Sequence, residues 1–402
     1  MSDGKGPLAG IVVLDFGQVF QGPYAAMLMA RGGADVIKIE PPGIGEPLRR
    51  RSLSTGGSGT SLSIAMMNSN KRAITLNLKD PRGRDMLCRM VAKADVLLEN
   101  FAPGVMDKLG VGWSVLHAIN PRLVYASGTG FGISGPDSNN LAMDMTIQAA
   151  SGIASVTGFP DGPPTKAGPT LVDIMGGTAL YGGIVTALYE RDRTGEGRLV
   201  EVAMQETVYA SMAASFDYLH RTGEIPPRPG NRQSGRSSAP YNTFPTRDGW
   251  VSMQTVTEEH WRNLCRAMGR EELAEDPRFA TNAARMENLE QTDAVVTAWT
   301  RSLGKMEVFA ATSRYRIPCA PVRTVDEVME DRHMHERGML QRIEHPDIGR
   351  VVVPNSPIRL HGAVQPPMAP SPRLGQHNDS VYGEWVGLAH DELAGLRADG
   401  VI

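Results

Sequence analysis

Short apolar runs alternate with segments of helical period through the first half of this chain. Ile11-Val-Val-Leu-Asp-Phe16 is an apolar run closed by a polar loop, and Pro23-Tyr-Ala-Ala-Met-Leu-Met-Ala-Arg31 follows with proline at a helix-start position. Gly32-Gly33 stops that helix, and Asp35-Val-Ile-Lys-Ile-Glu40 reads as the next strand. Residues 11–40 thus form a βαβ unit, which predicts a right-handed crossover and parallel pairing. The pattern then repeats. A helical segment from Asp80 to Ala94 leads into Asp95-Val-Leu-Leu-Glu-Asn100, and a short helix near Trp113–Ile119 precedes Arg122-Leu-Val-Tyr-Ala-Ser127. Further on, an apolar helix over Ile174–Leu188 is followed by the strand Arg198-Leu-Val-Glu-Val-Ala203 and a helix over Glu206–His220. Such alternation specifies a doubly wound, Rossmann-like α/β sheet.

The composition changes between Arg221 and Tyr241, where Pro, Gly, Arg and Ser crowd together as in a linker. Beyond it, Phe244-Pro-Thr-Arg-Asp-Gly249 reads as a turn between strands, Trp250-Val-Ser-Met-Gln254 as a strand, and His260–Met268 and Leu289–Leu303 as helices. These features describe a smaller α+β domain. A strand at Arg350-Val-Val-Val-Pro-Asn-Ser356 and a closing helix, Asp391–Ala398, suggest that the C-terminus rejoins the first domain. A length of 402 residues suits two domains.

Charge and cysteine content remove several function classes. The 41 basic and 44 acidic residues nearly balance and no dense basic run extends beyond Arg49-Arg50-Arg51, so nucleic acid is not an expected partner. Three cysteines, Cys88, Cys265 and Cys319, lie far apart without CxxC spacing, which argues against a disulfide framework and a zinc site. No stretch reaches the roughly 18 consecutive apolar residues of a membrane span. The start Met1-Ser-Asp-Gly-Lys5 has no signal-like pattern, so a soluble, unprocessed, cytoplasmic protein is expected.

Familiar catalytic motifs are missing. Gly128-Thr-Gly130-Phe-Gly132 follows a strand, but its spacing is GxGxG and no helix begins after it, so a pyrophosphate would lack its helix N-terminus. There is no phosphate-binding GxxxxGK[ST] loop and no GxSxG nucleophile elbow; Gly57-Ser-Gly59 is a short flexible loop. His333, His335 and His345 have no facing carboxylate or cysteine set and read as polar surface, so no metal is expected. Cys88, inside Met86-Leu-Cys-Arg-Met-Val91, reads as a small core residue.

What remains is a carboxylate, Asp173, at the end of Gly168-Pro-Thr-Leu-Val-Asp173 and the start of the apolar helix. It can cap that helix, or it can be a nucleophile presented where the helix begins. Gly176, Gly177, Gly182 and Gly183 weaken the helix and make sense if something packs very close to its backbone, a ligand among the options. Position at a helix N-terminus is expected to keep the carboxylate ionised.

Taken together, Gln21-Gly-Pro23, Gly33-Ala-Asp-Val-Ile-Lys-Ile-Glu-Pro-Pro42, Asn70-Lys-Arg72, Glu99-Asn-Phe-Ala-Pro-Gly104, Gln148-Ala-Ala-Ser-Gly152 and Gly168…Asp173 resemble blocks of the class III CoA-transferases, the family of formyl-CoA transferase and carnitine CoA-transferase. Asn242-Thr-Phe-Pro-Thr-Arg-Asp-Gly249, Asp276-Pro-Arg-Phe279, Pro318-Cys-Ala-Pro-Val322 and Leu396…Gly400-Val-Ile402 continue the resemblance to the end of the chain.

The resemblance implies a ring-like subunit in an interlocked homodimer. Residues 1–205 would begin the large Rossmann-like domain, 206–224 and 326–339 would be linkers, 225–325 the small α+β domain, and 340–402 the part rejoining the large domain. It implies that Asp173 attacks an acyl-CoA thioester, giving an aspartyl anhydride and then an aspartyl-CoA thioester that passes CoA to an acceptor carboxylate. It places CoA against Val19, Phe20, Gln21, Leu76, Asn100, Phe101, Lys108 and Met204, with CoA as a substrate and no tightly bound cofactor. Pro41 stands where the family often has arginine, which leaves Arg49, Lys71 and Arg72 as substitutes for nucleotide contacts. Racemases of the same superfamily carry Gly-His-Asp where this chain has Ala142-Met143-Asp144; without that histidine a two-base racemisation lacks a partner, and transfer is favoured. Racemase or epimerase activity and a catalytically silent CoA-binding homologue are the alternatives. The polar loop Ser134–Asn140 is compatible with a small dicarboxylate acceptor.

Overall fold

The computed structural model describes residues 6–54, 56–233 and 237–402; the N-terminal start discussed above and residues 234–236 of the linker-like stretch lie outside the described residues. The chain forms two compact units. One comprises the chain up to Ile147 with Pro169–Val208 and Asp331–Ile402, and the other Gln148–Gly168 with Tyr209–Glu330.

The first unit is built on six strands in the order β3-β2-β1-β4-β5-β6, all parallel. In chain order its elements begin β1 (Val12–Asp15), α1 (Gln21–Arg31), β2 (Asp35–Glu40), α2 (Pro47–Ser54), α3 (Leu62–Asn68), β3 (Arg72–Thr75), α4 (Pro81–Val91) and β4 (Val96–Glu99). Then come α5 (Val105–Lys108), α6 (Trp113–Ile119), β5 (Val124–Thr129), α7 (Asp144–Ala150), α8 (Leu171–Thr194) and β6 (Leu199–Ala203). The strand order reverses between β1 and β4, and in such sheets the crevice beyond the strand C-termini at that point receives ligands. The alternating side chains of each strand feed two cores. Val13, Val36, Val96 and Val124 meet Ala26 and Met29 of α1 and Leu180 and Ile184 of α8. Leu14, Ile37, Ile74 and Leu97 on the opposite face meet α4 and the C-terminal residues Tyr382, Leu393, Val401 and Ile402.

Helix α8 is the one helix among the described residues long and apolar enough to cross a membrane, yet 44% of its apolar window is buried and it packs on α1, β5 and β6. Its glycines explain the fit. A Cβ on Gly177 would lie 2.6 Å from the Gln21 carbonyl oxygen, one on Gly176 3.0 Å from the Gln21 amide nitrogen, and one on Gly183 2.7 Å from Val200. The close neighbours of these glycines are α1 and β6, not a ligand as their sequence also allowed. Gly182 faces outward with nothing within 4 Å.

In the second unit β7 (Tyr241–Thr246), β8 (Gly249–Gln254) and β9 (Cys319–Pro321) form an antiparallel sheet over a core of Phe244, Val251, Trp261, Leu264, Phe279 and Val296. Phe244-Pro-Thr246 is therefore strand, and the turn shrinks to Arg247-Asp248. The helix expected over Glu206–His220 is broken into Met204–Thr207, a short turn at Tyr209–Met212 and Ala213–Thr222. In the first unit, β10 (Leu340–His345) and β11 (Gly349–Pro354) pair as a hairpin. His345 is not surface: it is 3% exposed, its Nδ1 accepts the Asp347 N–H at 3.2 Å, and its Nε2 lies 3.0 Å from Ser371 Oγ.

The contrast between glycines gives a direct test of helix contact. Gly177→Ala is expected to lose about 1–3 kcal/mol of stability through overpacking against α1, whereas Gly182→Ala is expected to gain up to about 1 kcal/mol from helix propensity. Urea denaturation of the two variants measures both, and equal losses would contradict the packing described.

Candidate active site

The loop after β1 is held from beneath by buried charges. Asp15 Oδ1 accepts the Gly17 N–H at 2.8 Å and Oδ2 accepts Lys71 Nζ at 2.8 Å, with both side chains fully buried. Lys71 Nζ also donates to Asn68 Oδ1 and to the Pro23 carbonyl, and Lys38 Nζ donates to the Gly17 carbonyl. Burial alone would raise the Asp15 pKa, but Lys38 and Lys71 outweigh it and hold the carboxyl below its usual value. Val19 sits at φ 63°, a rare conformation for a β-branched residue, and its N–H donates to Glu46 Oε2 at 2.9 Å.

Across the switch point, Gln18 and Asn100 bond reciprocally: Gln18 N–H to Asn100 Oδ1 at 2.6 Å and Asn100 Nδ2 to the Gln18 carbonyl at 3.0 Å. Glu99 Oε2 accepts the Phe101 N–H at 2.7 Å, and burial pushes this carboxyl up to about 7. The ends of β1 and β4 are thereby fixed to each other.

Three cations considered for the nucleotide are ion-paired within the chain. Lys71 is the counter-ion of Asp15, Arg49 lies buried 2.9 Å from Glu40, and Arg72 joins Asp35 and Glu384. Their charges hold the fold together.

Above this frame is a cavity of about 330 Å³ lined from the β1 and β4 loops by Gln18, Val19, Gln21, Asn100 and Phe101, and from α8 by Asp173. Asp173 is the third residue of α8, not its cap, and Thr170 before the helix makes no side-chain cap. The cap comes from Asp144 at the start of α7, whose Oδ2 accepts the N–H of Val172 at 2.8 Å and of Asp173 at 3.3 Å. The Asp173 carboxyl is thus left free of capping duty. Burial, with the like charge of Asp144, pushes its pKa up to about 6, opposite to the depression its helix position suggested.

Lining the same cavity is Gln21, 2% exposed, whose Nε2 has no hydrogen-bond partner. Gly128 and Gly176 make its room: a Cβ on either would come within about 3 Å of that amide. A buried donor without an acceptor is costly, and this one lines the same cavity as a carboxyl that is ionised above pH 6. No histidine, cysteine or lysine lines the cavity and no metal-binding cluster exists among the described residues.

Of the residues expected at the site, Val19, Gln21, Asn100, Phe101, Met204 and Asp173 share this cavity. Leu76 and again Phe101 line an adjoining one of about 420 Å³, which also has Gln18, Pro41, Pro42, Lys79 and Leu109 on its wall. Phe20 and Lys108 line neither. Sequence reasoning passed over Gln18, Phe131, Leu141 and Lys79 as lining residues. Lys79 had a usable signal, a lone cation just past the end of β3; the others had none.

Comparison with known proteins gives the family. The model of CoA-transferase family III matches residues 8–378. The succinyl-CoA–D-citramalate CoA-transferase of Chloroflexus aurantiacus is 36% identical, with 98% of each chain covered. The acetyl-CoA:oxalate CoA-transferase of Acetobacter aceti is 38% identical over 95% of this chain and 96% of its own. The crystal structure of a CAIB/BAIF family protein from Brucella suis superposes with a TM-score of 0.83 at 32% identity, over 95% of this chain and all of that one. A parallel sheet with a free carboxyl at its switch point, and likeness to these enzymes along nearly the whole chain, lead to one conclusion: the chain belongs to CoA-transferase family III, an enzyme family that acts on CoA thioesters.

Proposed function

We propose that the enzyme moves CoA from an acyl-CoA donor to a carboxylic acid through covalent intermediates on Asp173. The carrying observation is the Asp173 carboxyl, relieved of capping by Asp144 and sharing its cavity with the unpartnered Gln21 amide. In the first step an Asp173 oxygen attacks the thioester carbonyl carbon, the C–S bond breaks, and CoA thiolate leaves an aspartyl acyl anhydride. The thiolate then attacks the Asp173 carbonyl carbon and expels the donor acid as a carboxylate, leaving aspartyl-CoA thioester. The acceptor carboxylate attacks the carbonyl carbon of that thioester, its C–S bond breaks, and CoA thiolate leaves a second anhydride; the thiolate then attacks the acceptor's carbonyl carbon, giving acceptor-CoA and releasing Asp173 as a carboxylate. Every step exchanges one anion for another at an acyl carbon, so no proton donor is required. Gln21 Nε2 stabilises the oxygen that becomes anionic in each addition.

The thiol end of CoA would lie past Gln18 and Phe101, with its nucleotide in the adjoining cavity between Pro41, Pro42 and Leu76 and its phosphates near Lys79. We read the first unit as the large domain and the second as the small domain, with the chain passing between them within the expected linkers 206–224 and 326–339, at Val208–Tyr209 and Glu330–Asp331. Exposed apolar side chains on each unit, Met145 and Tyr189 on the first and Phe159, Phe216 and Ile225 on the second, fit surfaces covered in an interlocked homodimer. The three free thiols fit a cytoplasmic location.

Three measurements test this reading. Exchange of CoA between an acyl-CoA and a labelled carboxylate should fall by about four orders of magnitude or more in Asp173→Ala; retained exchange would remove Asp173 from the chemistry, and loss of an α-hydrogen without exchange would indicate a racemase. Gln21→Ala should lower kcat by about 10²–10³ with the fold intact. Because a nucleophile must be ionised, kcat/KM should fall with decreasing pH below about 6. Asp144→Asn keeps an oxygen to cap α8 but removes the like charge, so this acid limb should move to lower pH; an unmoved limb would exclude Asp144 as its cause.

A further inference from the structure

The turn that leads from β1 into α1 is held by side chains. Asp15 Oδ1 accepts the Gly17 N–H, Lys38 Nζ donates to the Gly17 carbonyl, and Asn100 bonds both the N–H and the carbonyl of Gln18. Next comes Val19, at φ 63°, whose N–H donates to Glu46 Oε2 at 2.9 Å. A β-branched residue stays in this region only where its surroundings hold it there.

Glu46 reaches Val19 because the loop after β2 folds back on itself. The Gly45 N–H donates to the Pro41 carbonyl at 3.1 Å, and the Glu46 N–H to Glu40 Oε2 at 2.9 Å. The reversal is made by Gly45, also at φ 63°. It leaves the Glu46 side chain in the interior, 1% exposed, with its other oxygen 3.4 Å from Asn68 Nδ2 and its charge felt by Lys38 and Lys71.

Glu46 thus ties together the two loops that wall the ligand space. Pro42 and Ile44, before it, line the cavity proposed above for the CoA nucleotide, and Pro47, after it, lines the one shared by Val19, Gln21 and Asp173. Glu46 itself lines neither. We propose that Glu46 is a positioning residue for transfer: its bond to the Val19 N–H holds the β1 turn left-handed, and so fixes where α1 begins and where the Gln21 amide stands. This rests on the transfer reading above.

The test is a double-mutant cycle on Glu46→Ala and Val19→Gly, read as kcat/KM for CoA exchange from an acyl-CoA and as the Kd of free CoA by calorimetry. Glu46→Ala should lower kcat/KM about a hundredfold through misplacement of the turn. Val19→Gly alone should lower it about threefold, because the cavity loses an apolar side chain. Added to Glu46→Ala, the same change should instead raise kcat/KM about tenfold, because glycine enters the left-handed region without the penalty that valine meets. The Kd should follow the same pattern. A Glu46 that served stability alone would give Val19→Gly the same effect in both backgrounds, and that result overturns the proposal. If Glu46→Ala does not fold, Glu46→Gln carries the comparison; its neutral oxygen bonds the N–H less strongly, so a loss of about tenfold with the same reversal is expected. Exchange without a reversal removes Glu46 and leaves transfer standing. If the natural enzyme binds CoA and exchanges none, the transfer reading falls, and the Kd decides separately: a reversal keeps Glu46 as the holder of the turn, and no reversal removes it too.

Discussion

The contact of two helix backbones sets the geometry of this site. Gly176 and Gly177 let α8 lie against the first residues of α1, so close that a methyl group on Gly177 would meet the Gln21 carbonyl oxygen at 2.6 Å. Gln21 begins one helix and Asp173 lies in the first turn of the other, and both helices start at the C-terminal edge of the same parallel sheet. The cost of glycine in a helix, about 1 kcal/mol each, is offset by an approach that larger residues forbid. The same contact brings a buried amide donor without an acceptor into one cavity with a carboxyl without a hydrogen-bond donor.

Charge performs two separate tasks around this contact. Beneath the floor, Asp15, Lys38 and Lys71 are desolvated and mutually paired, and they hold the Gly17–Val19 turn in a conformation that Val19 would not adopt freely. Removing one member of such a group leaves an uncompensated buried charge, so the network acts as a rigid base. Above the floor charge is sparse, and burial together with the like charge of Asp144 raises the Asp173 pKa. A carboxylate that is ionised at neutral pH yet poorly solvated is a better nucleophile than one surrounded by cations.

The strands and helices of the first unit were legible because each is a local pattern: β2 spans Asp35–Glu40 as its apolar run predicts, and α6 spans Trp113–Ile119. Asp173 and the β1 loop were legible by residue type and by likeness to a family. What escaped were pairings between residues far apart in the chain. Lys71 looked available for a phosphate because nothing near it announces Asp15, 56 residues earlier, as its partner. Asp173 looked like a cap because nothing near it announces Asp144, whose carboxylate reaches the α8 amides from 28 and 29 residues away. The α8 glycines correctly signalled a close neighbour, but pattern alone could not distinguish a ligand from α1.

The central claim is that the carboxyl of Asp173 becomes covalently acylated and then carries CoA. Its most direct test is rapid quenching of the enzyme after mixing with an acyl-CoA, followed by hydroxylamine or borohydride treatment and peptide mapping by mass spectrometry. The account predicts modification of Asp173, dependent on substrate and lost when the quench precedes it. An unmodified Asp173 during steady turnover, or an adduct on any other residue, would contradict it.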